Sequence, residues 1–356
     1  MKIISRYLLK EVTINVTLIM LALLAMFSFF NLIQELELLD KGSYGLGKVL
    51  LFVLLSAPGH IYDVMPVAVL VGCMYSLAKF ARNSELIVLR VSGVSMLNIA
   101  VLLLKVGVVF TLLTFLIGEL VTPLSEKMAQ RIRIQATNSV IAQNFRSGLW
   151  VKDGNSFVNV EEVLPDATLL NIHIYEFDHN FKLRMISNAK SGEFTDDDWQ
   201  LKQVRKTTFD QDKIHNTELA DAKWHSLIRP ELMNVLLVLP ERMSALNLYS
   251  YIGHLSVNKQ KTTRYQVALW GKLIYPLACL VMVVLALPFG FIQQRMSGAS
   301  AKVFVGIMLG VMYQILNRVF VHLGLLNDWP PLFSATTPTI LFLLAGLTML
   351  HYVERR

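Results

Sequence analysis

Charge is scarce in this chain: only 17% of its 356 residues are Asp, Glu, Lys or Arg, where soluble domains carry about 25%. Cysteine is scarcer still. Cys73 and Cys279 both lie in apolar runs, so they build no disulfide framework and read as buried packing residues. No run of Lys or Arg stands out, and the net charge of +7 therefore does not point to nucleic acid. Neither H-E-x-x-H nor G-x-S-x-G occurs. No catalytic residue and no metal ligand is assigned. His60 and Asp63 read as a pair at a membrane interface rather than as a catalytic dyad. There is no internal repeat and no low-complexity segment. The stretch GSYGLGKV, 42–49, nearly fits the phosphate-binding loop, but Val49 stands where that loop needs a hydroxyl to hold magnesium. The loop also joins two apolar segments rather than a strand and a helix, so its glycines read as turn formers.

Apolar runs, by contrast, are abundant. A membrane span needs about 20 apolar residues, and six runs qualify: Val12–Ile33, Leu46–Leu77, Leu97–Val121, Val267–Ile292, Val303–Leu326 and Leu332–Tyr352. Pro58 and Pro66 interrupt the second. The first run is too long for a signal h-region and no clear cleavage site follows it, so it reads as an uncleaved anchor. Basic residues of short loops set orientation. Lys2, Arg6, Lys10, Lys79, Arg82, Arg90, Arg295, Lys302, Arg355 and Arg356 gather on one side. That side reads as cytoplasmic, with both termini inside and the polar stretch between spans three and four outside. This gives three parts: 1–137 with spans one to three, 138–245 as an outer insert, and 246–356 with spans four to six.

The insert reads as β. LWVKDGNSFVNV alternates on both sides of Asp153-Gly154, a dipeptide favoured in tight hairpins. NIHIYEFD and WQLKQVRKTTF follow, the first ending at the turn Asp178-His179-Asn180 and the second preceded by a turn at 196–198. Short strands at this spacing predict a sandwich or an open barrel.

Charge inside a membrane is costly and marks function. In span five, Gln314, Arg318 and His322 recur every four residues, so they share one helix face. Two readings stay open. Arg318 pairs with a carboxylate such as Glu119, or the stripe is the polar wall of a cavity for an anionic substrate. After span three, LSEKMAQRIRIQA carries Lys127, Arg131 and Arg133, and Lys259, Lys261 and Arg264 approach span four from the same side. Snorkelling is one account, and phosphate binding, favoured here, is the other. On the cytoplasmic side, AKFARNSELIVLRVSGVSM predicts a short amphipathic helix near 81–93 with Arg82 and Glu85 exposed and Leu86 and Leu89 on one face. It reads as an ordinary connection or as a docking element for a cytoplasmic motor, and its apolar content leans toward docking.

Four stretches carry a resemblance: NSELIVLRVSG, MAQRIRIQA, GLWVKDGNSFVNVE and RYQVALWGKLIYPL. With the layout of three spans, β insert and three spans, the chain resembles the lipopolysaccharide-export permease family, LptF/LptG, and within it the LptG branch. The resemblance implies a helical membrane protein with an inserted periplasmic β-jellyroll. It implies pairing with a homologous, LptF-like permease and driving by a dimer of an LptB-like cytoplasmic ATPase, so that ATP and Mg are used by the partner and no cofactor belongs to this chain. It further implies lipopolysaccharide taken from the outer leaflet of the inner membrane and passed to a periplasmic bridge. A single-span LptC-like protein would sit beside span one, with membrane lipids around the bundle. Glu85 matches the acidic residue of the family's coupling helix, and Arg133 a basic residue that contacts lipid A phosphates. Gln130 stands where relatives have Arg, and Lys41 is the nearest base to the family's lysine at the outer end of span one.

Overall fold

The first apolar run continues in both directions to form α1, Lys2–Leu36. A computed structural model describes residues 2–39, 41–93, 96–137, 149–163, 168–178, 182–195, 198–210, 213–226, 239–257, 260–291 and 299–355. Among the described residues, six helical segments are long and apolar enough to cross a membrane. After α1 come α2, Leu46–Arg82, and a short α3, Glu85–Val91. Span three is α4, Met96–Leu116, one π-helical turn at Ile117–Val121, and α5, Thr122–Thr137. After the β domain, a 3-10 turn at Pro240–Arg242 and α6, Ala245–Val257, lead back to the bundle. Span four is broken at Pro276: α7, Thr263–Ile274, a 3-10 turn at Tyr275–Leu277, and α8, Ala278–Phe291. Spans five and six are α9, Ala299–Leu326, and α10, Pro331–Glu354.

Span two is the hub, with 89% of its apolar window buried, against 6% for span one and 17% for span five. The core therefore forms around Met65, Leu70, Met74 and Leu77 of α2, packed by Leu103 and Val106 of α4 and by Met282 and Ala286 of α8. A polar stitch joins α1 to α2, where Asn15 donates to Ser76 Oγ at 2.9 Å and Ser76 donates in turn to the Gly72 carbonyl. Such bonds hold helices together in apolar surroundings, where burial alone gives little preference.

The glycine loop at 42–47 is a helix connection. Ser43 N donates to the Ala136 carbonyl at 2.7 Å, Lys48 donates to Ser43 Oγ, and Tyr44 is fully buried. Its basic residue is spent on a local hydroxyl, as expected of a turn and unlike a phosphate loop.

The π turn admits close packing. A Cβ on Gly118 would lie 2.5 Å from Tyr62 Cε2, and Tyr62 is a buried ring 5.0 Å from Tyr275. Gly118→Ala is expected to displace Tyr62 and lower stability by about 1–3 kcal/mol. Thermal unfolding of the detergent-solubilised protein checks this, and an unchanged midpoint would show that the ring yields freely.

The described strands are β1 Leu149–Asp153, β2 Ser156–Val163, β3 Leu169–Phe177, β4 Leu183–Thr195, β5 Asp198–Asp210 and β6 Lys213–Trp224. They form one antiparallel sheet in strictly sequential order, set between the third and fourth spans as expected; of the sandwich and the open barrel that the strand spacing suggests, a single sheet is nearer to the second. The Asp153-Gly154 hairpin forms where expected, with Asp153 opposite Ser156 and Gly154 at φ 59°. The residues of the expected turns at 179–180 and 196–197 lie outside the described set.

The sheet is creased along one line. Pairing steps over Glu161 opposite Asn171, and over Lys190, Gln203 and Ala220 on the following strands, with the register unchanged on either side. Asn171 and Gln203 have φ 50° and 52°, the left-handed region. One residue out of phase swaps the faces of a strand. Here every strand crossing the line shifts together, so Leu169 and Ile172, and Leu201 and Val204, stay in one apolar core with Trp199.

Candidate functional site

The chain returns from the β domain to the bundle through a clamp. Pro240 opens the 3-10 turn and fixes its entry. Arg242 then reaches α2, donating to the Gly59 carbonyl at 2.8 Å and to Asp63 Oδ2 at 2.6 Å. Gly59 is required for that approach, since a Cβ there would lie 2.7 Å from Arg242 Nη1. One residue on, the Met243 carbonyl accepts from the buried Lys272 of α7. Glu119, in the π turn of span three, then accepts from Ala245 N at 2.8 Å and Leu246 N at 3.4 Å. Ser244 Oγ accepts from Asn247 N. Both groups satisfy donors at the start of α6, and the carboxylate also meets the positive end of the helix. Glu119 is therefore a helix cap and not the partner of Arg318.

Beside the clamp lies a cavity of about 450 Å³. Gln314, Arg318 and His322 all line it, as their four-residue spacing predicts. Gln314 donates to the Asp63 carbonyl at 3.0 Å, and Tyr275 donates to the same oxygen at 2.5 Å. Pro66 lacks the N–H that would bond within this turn of α2, and its ring pushes the turn open. The carbonyls there are thus open to donors from spans four and five. His322 Nδ1 bonds the Arg318 carbonyl, one turn back. Arg242, Arg264, Lys272 and Arg318 face Asp63 and Glu241 across the cavity, an excess of two positive charges. Asp63 is held by Arg242, and among the described residues no ion pair is formed by Arg318.

The basic residues after span three form a separate group. Arg133 donates to Glu35 Oε1 at 3.2 Å and to Gln130 Oε1 at 2.7 Å, and its guanidinium lies 5.1 Å from the Phe52 ring centre. Glu35 is buried and also accepts from Tyr44 at 2.8 Å. The charge of Arg133 is thus balanced inside the hairpin of α1 and α2. Lys127 is half-buried and Arg131 exposed on α5, and Lys41 is exposed in the turn between α1 and α2. Arg264 lines the cavity of Arg318, whereas Lys127, Arg131 and Arg133 do not. Lys259 lies outside the described residues.

At the opposite end of the bundle, α2 stops at Arg82. Ser84 turns the chain with φ 60°, and its carbonyl accepts from Val88 N to start α3. Asn83 Nδ2 donates to Glu85 at 3.1 Å. Leu86 is buried, while Val88, Val91 and Leu97 are 62%, 84% and 70% exposed. The side chain of Leu89 lies outside the described residues. Sequence reasoning placed all the residues of α3 in one short helix but singled out Glu85, Leu86 and Leu89 rather than the exposed valines.

It also missed Arg242 and Lys272. The available signal was an intramembrane ionisable residue in each of spans two and four, Asp63 and Lys272, because such residues need partners.

The sequence is similar to those of known proteins. The chain is 30% identical, over 98% of its own length and 98% of the relative's, to the lipopolysaccharide export system permease protein LptG of Escherichia coli. It is 28% identical to the protein of the same name from Haemophilus influenzae, over 96% of each chain. The family description "Lipopolysaccharide export system permease LptF/LptG" fits residues 6–352. A multi-pass membrane protein with a β domain set between its third and fourth spans, this chain belongs to the LptF/LptG family of lipopolysaccharide export permeases.

Proposed function

We propose that this chain is one membrane half of an ATP-driven machine that lifts lipopolysaccharide out of the outer leaflet of the inner membrane and hands it to a periplasmic bridge. The observation that carries this reading is the cavity of Arg318, whose walls hold two more positive than negative side chains within a bundle of apolar helices. Lys272 is buried and Arg242 half-buried, while Arg264 and Arg318 are exposed, and an excess of cations beside apolar walls attracts an anion. A phosphorylated glycolipid supplies phosphates for the cations and acyl chains for the apolar walls. Relatives named as lipopolysaccharide export permeases support the choice of cargo.

Both termini are cytoplasmic and the β domain periplasmic in this reading, by the bias of basic loop residues. That places Arg318, late in α9, in the outer half of its span. The chain carries no catalytic set, and ATP and Mg are handled by a separate dimeric ATPase. Arg82 and Glu85 form the coupling face, extended by the exposed Val88 and Val91, while Leu86 anchors the helix in the bundle core; Leu89 is assigned to the coupling helix from the sequence alone. Spans one and five expose broad apolar faces, with Leu18 and Phe29 on one and Phe304 and Ile315 on the other. A homologous permease covers the second of these faces, and a single-span protein lies beside the first.

Two measurements test the reading. A photo-crosslinker at Gln314 should capture lipopolysaccharide in membranes, and its failure to do so while capturing phospholipid would remove the cargo assignment. Glu85→Lys should abolish lipid release coupled to ATP hydrolysis by the co-purified ATPase, with the fold intact. A membrane-anchored scaffold would tolerate that change, so undiminished release would refute the coupling role.

A further inference from the structure

The face of the β sheet opposite its apolar core carries a second, chemically different site. Strand parity sets Trp150, Asn159, His173, Asn188, Arg205 and Glu218 in one row across all six strands on that face. Along the crease beside this row lies a hollow of about 680 Å³. Its walls hold amides at Asn171, Asn188 and Gln203, together with His173. Two carboxylates, Glu161 and Glu218, meet two cations, Lys190 and Arg205, so the formal charges cancel. The donors and acceptors are set in place by one another: His173 Nδ1 bonds Asn188 Oδ1 at 2.7 Å, Asn171 donates to Glu161 at 2.8 Å, and Arg205 donates to Glu218 at 3.1 Å.

Next to the hollow is an aromatic platform. Trp150 and Tyr175 stack with ring centres 5.7 Å apart and planes 17° apart, although β2 lies between their strands. Trp150 remains 53% exposed, and Phe157, on the same face, 37%. Tyr175 follows His173 by two residues on β3, so platform and hollow adjoin. Cross-strand aromatic pairs stabilise sheets, but that role does not account for an indole left half in water beside a row of fixed polar groups.

We propose that this face binds a neutral saccharide, with Trp150 and Tyr175 receiving the C–H face of a pyranose ring and the hollow around His173, Asn188 and Glu218 receiving its hydroxyls. Large, rigid aromatic side chains give contact area at low entropic cost, and amides and carboxylates supply both donors and acceptors. The cancelled charge is what separates this site from the cavity of the bundle. An anion gains nothing from a hollow with equal numbers of acidic and basic groups, whereas a polyhydroxyl ligand uses both. The inference stands independently of the transport reading, because it rests on the β domain alone. Two sources share the chemistry: the sugar portion of a glycolipid and the glycan of the cell wall.

The test is saturation-transfer NMR on the full chain in lipid nanodiscs, with three probes: a neutral outer-core hexose oligosaccharide freed of lipid and phosphate, a neutral oligomer of the N-acetylglucosamine found in cell-wall glycan, and inorganic phosphate. One of the two saccharides should bind, with transfer to ring protons. Trp150→Ala should weaken that binding about tenfold, and Trp150→Phe should restore much of it. Preference for the first or the second saccharide identifies the source, and either result supports the site. Trp150 is exposed and its replacement should leave the sheet folded, while Asn188→Ala provides a second variant that acts from the hollow. No saccharide binding, binding indifferent to both variants, or displacement of the saccharide by phosphate would overturn the proposal. Crosslinking at Gln314 reads the transport function separately, so the two ideas fail by different measurements.

Discussion

Arg242→Ala will loosen the return of the chain into the bundle and cost about 2–4 kcal/mol of stability. Breaking a fully buried ion pair costs about 3–5 kcal/mol because the remaining charge is left unmatched. The side chains of Arg242 and Asp63 are 21% and 41% exposed, so solvent moderates that cost. Arg242 also satisfies the Gly59 carbonyl, which a salt bridge count alone would overlook. The readout is denaturant or thermal unfolding in detergent. A double-mutant cycle with Asp63→Asn should show the two losses adding to less than their sum, since removing both partners strands no charge. Strict additivity would mean that the two groups act independently and that the clamp does not exist as an ion pair.

Arg318→Glu should reduce lipopolysaccharide crosslinking from Gln314 at least about tenfold, because a charge-assisted bond to phosphate is worth about 1.5–3 kcal/mol and the reversal adds repulsion. Stability should change by less than about 0.5 kcal/mol, as for other exposed positions. Arg133→Glu provides the contrast. There the new carboxylate would face the buried Glu35 and the hydroxyl of Tyr44, so unfolding of the α1–α2 hairpin should dominate the outcome. If the Arg318 variant loses stability as much as the Arg133 variant does, its charge is structural and the cavity is not a binding site for an anion.

The difference between these two arginines explains how far sequence reading reached. Both are basic residues near the same end of the bundle, and for both the sequence leaves binding of an anionic substrate and a structural role as the two readings. Helical periodicity was enough to put Gln314, Arg318 and His322 on one wall, because positions four apart on a helix share a face whatever surrounds them. It could not reveal that Arg133 also pairs with Glu35, 98 positions away. Glu119 shows the same limit. As an intramembrane carboxylate it invited an intramembrane cation, yet it caps a helix that begins 126 positions later. Local propensity says nothing about which distant backbone donors remain open, so the competition for that carboxylate was decided elsewhere. The β domain divided in a similar way. Alternating residues and Asp153-Gly154 located the first hairpin, but the crease depends on Asn171 and Gln203 adopting left-handed backbone, a conformation that neither residue type demands.

Membership of the six spans, the position of the β insert and the shared face of the span-five stripe were fixed by the order of residues alone, because hydrophobic run length and helical repeat are local quantities. Which charges neutralise each other, which remain uncommitted in the cavity, and how the sheet keeps one core across its crease were decided by tertiary structure. The physical reason is that an ion pair, a cap or a phase shift across strands depends on the distance between groups far apart in the chain, and only the folded packing sets that distance.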